Sequence, residues 1–278
     1  MMWQRAGLRL GALEGPIPDG DGGLFFTDLT SGVLHWSGSA LRTVLPDRPM
    51  VGGLCLTRTG DLLVSGSAVD RYSVDGVHVS TVLSLDDIRV DKPGTLPRFN
   101  DLAADAGGRL WVGVIRSDTS SSARVPGEVV LLSPREEAVV VLDDIYPNGV
   151  CFSPDGTLAY LADTFGRRVV VVSVESLRVV GEWSTSDAIG HPDGIVADRD
   201  GGVWVAQWRG KTIDRYVDGA TALSLNPGAM PLSLAFDDAD PHRLWVVTGP
   251  DEHGDGAGDL LVHRCEVAGV PPERAELP

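Results

Sequence analysis

Residues 148–163 read NGVCFSPDGTLAYLAD, and the way this stretch divides decides the fold. A short apolar run to Phe152 meets a Ser/Pro/Asp/Gly turn, then resumes as an alternating strand through Tyr160 and Leu161. Turn residues between two such runs are a hairpin signature. The phrase returns as EGPIPDGDGGLFFTD from Glu14, GGLCLTRTGDLLVSG from Gly52, NDLAADAGGRLWVGV from Asn100, DGIVADRDGGVWVAQ from Asp193 and SLAFDDADPHRLWVVTG from Ser233. The tips recur every 38 to 48 residues.

A second alternating stretch follows each hairpin, among them VLHW from Val33, GEVVLL from Gly127 and RRVVVVSV from Arg167. Four short strands per repeat describe a propeller blade. Six repeats fill the chain, so the expected fold is all-β: a six-bladed β-propeller with four-stranded antiparallel blades around a central tunnel, forming a single domain over 1–278. A pair of β-sandwiches also has many short strands, but it predicts no shared offset between segments.

That offset is informative. Glu14, Asn100, Asn148 and Asp193 each stand eight positions before a tip glycine: Gly22, Gly108, Gly156 and Gly201. Gly52 to Gly60 and Ser233 to Pro241 keep the spacing with small residues. In a radial repeat, equivalent positions lie on one ring, so four polar side chains distant in sequence are expected to meet at the axis. Taken singly, Asn and Asp before glycine are ordinary turn residues. A shared register in four repeats argues for a site.

Composition bounds what the site serves. Hydrophobic residues make up 43 % and charged residues 22 %, as in a globular chain with a sizeable core. With 39 acidic against 23 basic residues and a net charge of −16, nucleic acid and anionic membrane surfaces are disfavoured as partners. The first 16 residues, MMWQRAGLRLGALEGP, show neither a signal peptide nor a membrane span. Cys55, Cys151 and Cys265, odd in number and set in apolar strands, read as reduced core cysteines of a cytoplasmic protein. A monomer is the default expectation.

Glu14, Asn148 and Asp193 offer oxygen donors alone, two of them anionic. This set suits Ca²⁺, Mg²⁺ or Mn²⁺, and can also hold Zn²⁺. The chain has no G-x-S-x-G elbow, H-E-x-x-H helix, C-x-x-C pair or phosphate-binding glycine loop, so nucleophilic serine and nucleotide chemistry are disfavoured.

The strings EGPIP (14–18), RFNDL (98–102), PNGVCFSPDGTLAYLADT (147–164) and HPDGIVADRDGGVWVAQW (191–208) resemble those of the senescence marker protein 30, gluconolactonase and luciferin-regenerating enzyme family. The resemblance covers nearly the whole chain and implies one divalent metal ion at the tunnel mouth, held by Glu14, Asn148 and Asp193. It implies substrate contacts from Arg98 and Asn100, and from Asp118 where related enzymes present an acid to sugar hydroxyls. The implied activity is hydrolysis of a small-molecule lactone or ester, with the metal polarising the carbonyl and Asp193 as the catalytic base. His191 is a rival base by chemistry, and a supporting role is expected for it.

Where the family's EGP motif is usually followed by an aromatic stretch, this chain has Ile17-Pro18. Tyr146, Phe165 and Trp208 lie near the motifs; blade packing is their expected role, and a lining for a less polar substrate is the other reading. Residues 117–126, rich in Ser, read as a loop over the mouth. The acidic run Asp251, Asp255 and Asp259 reads as a solvated loop. Two further functions stay open: another reaction on the same ring, such as phosphotriester hydrolysis or a cyclisation or elimination on a natural-product intermediate, and a non-catalytic platform binding calcium or a small molecule.

Overall fold

The structure, a computed structural model, describes residues 3–46, 48–88, 92–185, 190–251, 253–254 and 256–277. A short strand β1 (Gln4–Arg5) precedes the first blade, β2 (Leu13–Pro18), β3 (Leu24–Asp28), β4 (Gly32–Trp36) and β5 (Leu41–Leu45). The second is β6 (Leu54–Leu56), β7 (Leu62–Val64), β8 (Val69–Tyr72) and β9 (His78–Leu83). The third has the longest strands: β10 (Thr95–Ala104), β11 (Leu110–Asp118), β12 (Arg124–Leu132) and β13 (Val139–Ile145). The fourth is β14 (Pro147–Phe152), β15 (Leu158–Asp163), β16 (Arg168–Ser173) and β17 (Val179–Ser184). The fifth is β18 (His191–Ala197), β19 (Val203–Trp208), β20 (Thr212–Val217) and β21 (Ala220–Leu225). The last blade is β22 (Met230–Phe236), β23 (Arg243–Gly249) and β24 (Leu260–Arg264), with β1 pairing antiparallel to β24 as its outer strand. The N-terminus thus closes the ring that the C-terminal blade leaves incomplete, and the six-bladed propeller read from the repeats is the observed fold. The one helical element among the described residues is a 3₁₀ turn, Leu85–Asp87, so no described helix is long or apolar enough to cross a membrane.

The tips follow from local chemistry. Gly22, Gly60, Gly108, Gly156 and Gly201 all take positive φ, between 71° and 91°, where a side chain would be strained. Behind three tips a buried aspartate holds the hairpin. Asp105, Asp198 and Asp237 accept the indole N–H of Trp111 (3.1 Å), Trp204 (2.7 Å) and Trp245 (2.8 Å), and each also binds backbone N–H groups of its own turn. This satisfies the one polar atom of each indole and lets the ring pack in the core.

Six hydrophobic clusters form, one at each junction between neighbouring blades. Trp111, Val129 and Leu131 of the third blade, for example, pack on Phe152, Ala159 and Leu161 of the fourth. Each blade therefore buries both faces only inside the closed ring. The C-terminal tail crosses one end of the tunnel, bridging to Asp198 through Gly269, to Ala104 through Glu273 and to Thr57 through Ala275.

Candidate functional site

Five of the six inner strands break register where the eight-residue offset places a site residue. The shifts fall between Glu14 and Ile17, Phe99 and Leu102, Pro147 and Val150, Pro192 and Ile195, and Pro231 and Ser233. A bulge takes a side chain out of the up-down alternation and re-aims it. The position after the offset residue is glycine in four blades: Gly15, Gly53, Gly149 and Gly194. A Cβ on Gly15 would lie 2.9 Å from Gly53 Cα, one on Gly53 2.8 Å from Asp101 Cα, and one on Gly149 2.6 Å from Ile195 N. Glycine there lets successive inner strands approach closely, which draws the preceding side chains together.

The structure brings Glu14, Asn100, Asn148 and Asp193 into one cluster. Asn100 Nδ2 donates to Asn148 Oδ1 at 3.2 Å and to Pro147 O at 3.4 Å, and Asn148 Nδ2 donates to Thr164 Oγ1 at 3.3 Å. Burial raises the Glu14 carboxyl well above the usual range, and repulsion from Asp193 and Asp101 adds to it, against a smaller opposing effect of Arg98. Asp193 is raised as well, first by burial and then by Asp101, with Arg124 opposing. Asp193 Oδ1 is buried and accepts no hydrogen bond among the described residues.

The cluster separates two cavities. Residues just before it, including Arg98 and Tyr146, line an outer cavity of about 760 Å³, together with Arg48, Arg116 and Arg124. Residues after it, including Gly15, Asp101, Cys55, Cys151 and Ile195, line an inner cavity of about 100 Å³, closed by Val270–Glu273 of the tail.

Two residues escaped the sequence reading. Asp101 occupies the position that is glycine in four other blades, and burial raises its carboxyl to about 7 against one hydrogen bond from the Leu102 N–H; alignment of the repeats carried that signal. Arg124 carried none. Its segment, read as a loop over residues 117–126, is instead a β-hairpin: β11 runs through Asp118 and β12 begins at Arg124, with Ser117 facing Arg124 across the ladder. The extra length of these strands puts the Arg124 guanidinium 5.2 Å from the Phe165 ring centre and 5.5 Å from that of Trp208.

The aromatic residues also differ from the expectation of blade packing. Phe165 is 41 % exposed, lies edge-on to Tyr146 at 4.7 Å, and is followed by His191 (5.8 Å) and Trp208 (5.7 Å beyond His191). They form an aromatic rim because each sits at a strand end or turn rather than between sheets. His191 Nδ1 lies 3.0 Å from the Thr164 carbonyl oxygen; a carbonyl can only accept, so this nitrogen carries the proton. That bond ties His191 to the residue that holds Asn148.

Asp118 is occupied by its own turn. Its Oδ1 accepts from the N–H groups of Ser120 (2.8 Å) and Ser121 (2.9 Å) and from both hydroxyls, which lowers its carboxyl to about 2. In the acidic run, Asp255 lies outside the described residues. Asp259 is buried rather than solvated, because its Oδ1 accepts the Leu8 N–H (2.8 Å) and ties the N-terminal segment to the last blade.

Among the described residues no group of three or more His, Cys, Asp or Glu side chains is arranged to hold a metal ion. The oxygen set identified from the repeats has two such residues, its third member being the Asn148 amide.

The chain is 29 % identical over 298 aligned residues to pentonolactonase XacC of Haloferax volcanii, covering 97 % of this chain and 95 % of that one. A luciferin-regenerating enzyme superposes with a TM-score of 0.85 at 19 % identity over 99 % of both chains. The calcium-binding protein regucalcin of Agrobacterium tumefaciens superposes with a TM-score of 0.80 at 22 % identity, over 97 % of this chain and 95 % of that one. At these identities the two structures bear on the fold alone. The model of the SMP-30/Gluconolactonase/LRE-like region matches residues 13–249, and the chain belongs to that family.

Proposed function

We propose that the protein is a lactone hydrolase that works with a divalent cation held by Glu14, Asn148 and Asp193. The observation that carries this reading is the Glu14–Asp193 pair: two neighbouring carboxylates, Asp193 buried and Glu14 half-buried, each raised by desolvation and by nearby acids, with one oxygen of Asp193 left without a hydrogen bond among the described residues. Buried charges persist when they are paired or bound to metal. Two carboxylates and an amide oxygen fit a hard cation, Ca²⁺, Mg²⁺ or Mn²⁺, with Zn²⁺ a weaker match. Such a cation, when bound, polarises a carbonyl oxygen and makes water more acidic.

The remaining steps belong to the chain. Asp193 takes the proton of the attacking water through its second oxygen, the one not given to the cation. Arg98 donates to substrate oxygens, Asn100 sits beside them with its Nδ2 hydrogens spent on Asn148 Oδ1 and Pro147 O, and Asp118 offers Oδ2, outside its turn bonds, to a hydroxyl. The Thr164–Asn148–Asn100 chain of hydrogen bonds keeps the amides oriented, with His191 bracing Thr164. Relationship to a pentonolactonase supports a sugar-derived lactone as the substrate class. The aromatic rim, half-buried apart from the exposed Phe165, favours a second reading, in which the same ring acts on a less polar ester or a natural-product intermediate.

The test is a pH-indicator hydrolysis assay on sugar and aliphatic lactones, with chelator-stripped protein and each cation added back. Turnover restored by a cation and lost in Asp193→Asn is the expected result. Turnover that survives chelation, or that persists in Asp193→Asn, overturns it.

A further inference from the structure

We infer that the lactone taken by this site carries a carboxylate, which Arg98 and Arg124 bind at the tunnel mouth. The inference rests on the lactonase reading and narrows its substrate. Four arginines line the outer cavity, and they differ in one respect. Arg48 is paired with Asp70 at 2.7 Å, and Arg116 with the fully buried Glu128 through several short contacts. Arg98 and Arg124 have no acidic side chain within ion-pair distance among the described residues. In a chain with 39 acidic residues against 23 basic ones, two neighbouring guanidiniums with no carboxylate in direct contact, Glu14 and Asp193 acting on them only at longer range, are a place for an anion from outside.

The geometry also sets direction. Arg124 is propped over Phe165 and Trp208, so its planar fork is held in place rather than sweeping through solvent. Arg98 stands on β10 two residues before Asn100 and feels both Arg124 and Glu14, while Arg124 in turn acts on Asp193. The tunnel is therefore cationic at its mouth and anionic at Glu14 and Asp193 below. A ligand with one carboxylate and one neutral lactone carbonyl enters one way round, with the carboxylate on the guanidiniums and the carbonyl at the cluster. Guanidinium forks match carboxylates with paired, charge-assisted hydrogen bonds, whereas a neutral sugar lactone brings them no charge.

Hydrolysis of such a substrate adds one water across the acyl–oxygen bond. The water oxygen bonds to the carbonyl carbon, the ring C–O bond breaks, and the ring oxygen leaves with a proton as a hydroxyl, giving a hydroxy dicarboxylate.

The test compares 5-oxotetrahydrofuran-2-carboxylate with its methyl ester, using whole protein supplied with a divalent cation. Ring opening is followed for kcat/KM, and binding is measured by calorimetry in Asp193→Asn. The acid is expected to exceed the ester by about 10- to 100-fold in both, from charge-assisted hydrogen bonds, with the margin shrinking as salt rises. Arg124→Gln should bring the acid down to the level of the ester, and Arg124→Lys should restore part of the preference. Equal handling of acid and ester, a preference that survives Arg124→Gln, or no binding of either compound overturns the inference. Selective binding of the acid with no turnover sinks the lactonase reading and leaves the carboxylate site standing; turnover without selectivity does the reverse.

Discussion

The Oδ1 atom of Asn100 occupies the space into which a Cβ on Gly52 would project, so the second blade's place on the ring is filled by a side chain of the third. Asn100 cannot swing away cheaply, because its Nδ2 is bound to Asn148 Oδ1 and Pro147 O. Gly52→Ala should therefore destabilise the fold by about 1–3 kcal/mol through overpacking. The same change made in Asn100→Ala should cost much less. Denaturant unfolding of the four proteins in a double-mutant cycle reads the coupling; additive effects would show that Asn100 does not restrain position 52.

Asp101 predicts a pH dependence of stability. Its folded carboxyl titrates at about 7 against a usual value of 3.8, raised by burial. Between those values the folded chain keeps a proton that the unfolded chain has lost, so stability falls as pH rises through that window. Asp101→Asn removes this loss. In chelator-treated protein its Tm should exceed that of the wild type at pH 8 by an amount worth about 1–3 kcal/mol, and by little at pH 4. Equal effects at the two pH values would contradict the assignment. Glu14 and Asp193 carry the same sign, so the Tm gain on adding a cation should grow with pH.

The base of the β11–β12 hairpin depends on a buried ion pair. Arg116 Nε lies 3.0 Å from both oxygens of Glu128, and Lys92 Nζ lies 3.4 Å from Glu128 Oε2. Glu128→Ala leaves a buried guanidinium uncompensated and should cost about 3–5 kcal/mol. Because this hairpin carries Arg124, catalysis should suffer before global unfolding. Guanidinium denaturation and kcat/KM on one preparation separate the two effects, and an unchanged midpoint would rule out the role given to the pair.

All three cysteines are free, and burial pushes the thiols of Cys55 and Cys265 up to about 12 and that of Cys151 up as well. Since the thiolate is the reactive form, a thiol-exchange reagent at pH 8 should modify native protein at least about 100-fold more slowly than denatured protein, which should release three equivalents. A rapid first equivalent in native protein would show an open path to the inner cavity, which Cys55 and Cys151 line.

What the sequence determined by itself is local and repeated. Turn chemistry at the tips, alternation in the strands and a constant eight-residue offset are each written within a few residues, and repetition around a closed ring turns them into a tunnel with Glu14, Asn100, Asn148 and Asp193 at its axis. The Trp-to-Asp bonds behind three of the tips belong to the same order of information, being six to eight residues apart. What only the tertiary structure decided depends on residues brought together from different blades, with no period to announce them. The placing of Arg124 against Phe165 and Trp208 follows from the length of one hairpin. The aromatic rim and the His191–Thr164 bond join the fourth and fifth blades. The closing of the tunnel by the C-terminal tail joins residues more than 200 positions apart, through contacts such as Thr57 with Ala275. Periodicity reports which face of a strand is buried; which neighbour that face meets is settled when the ring closes.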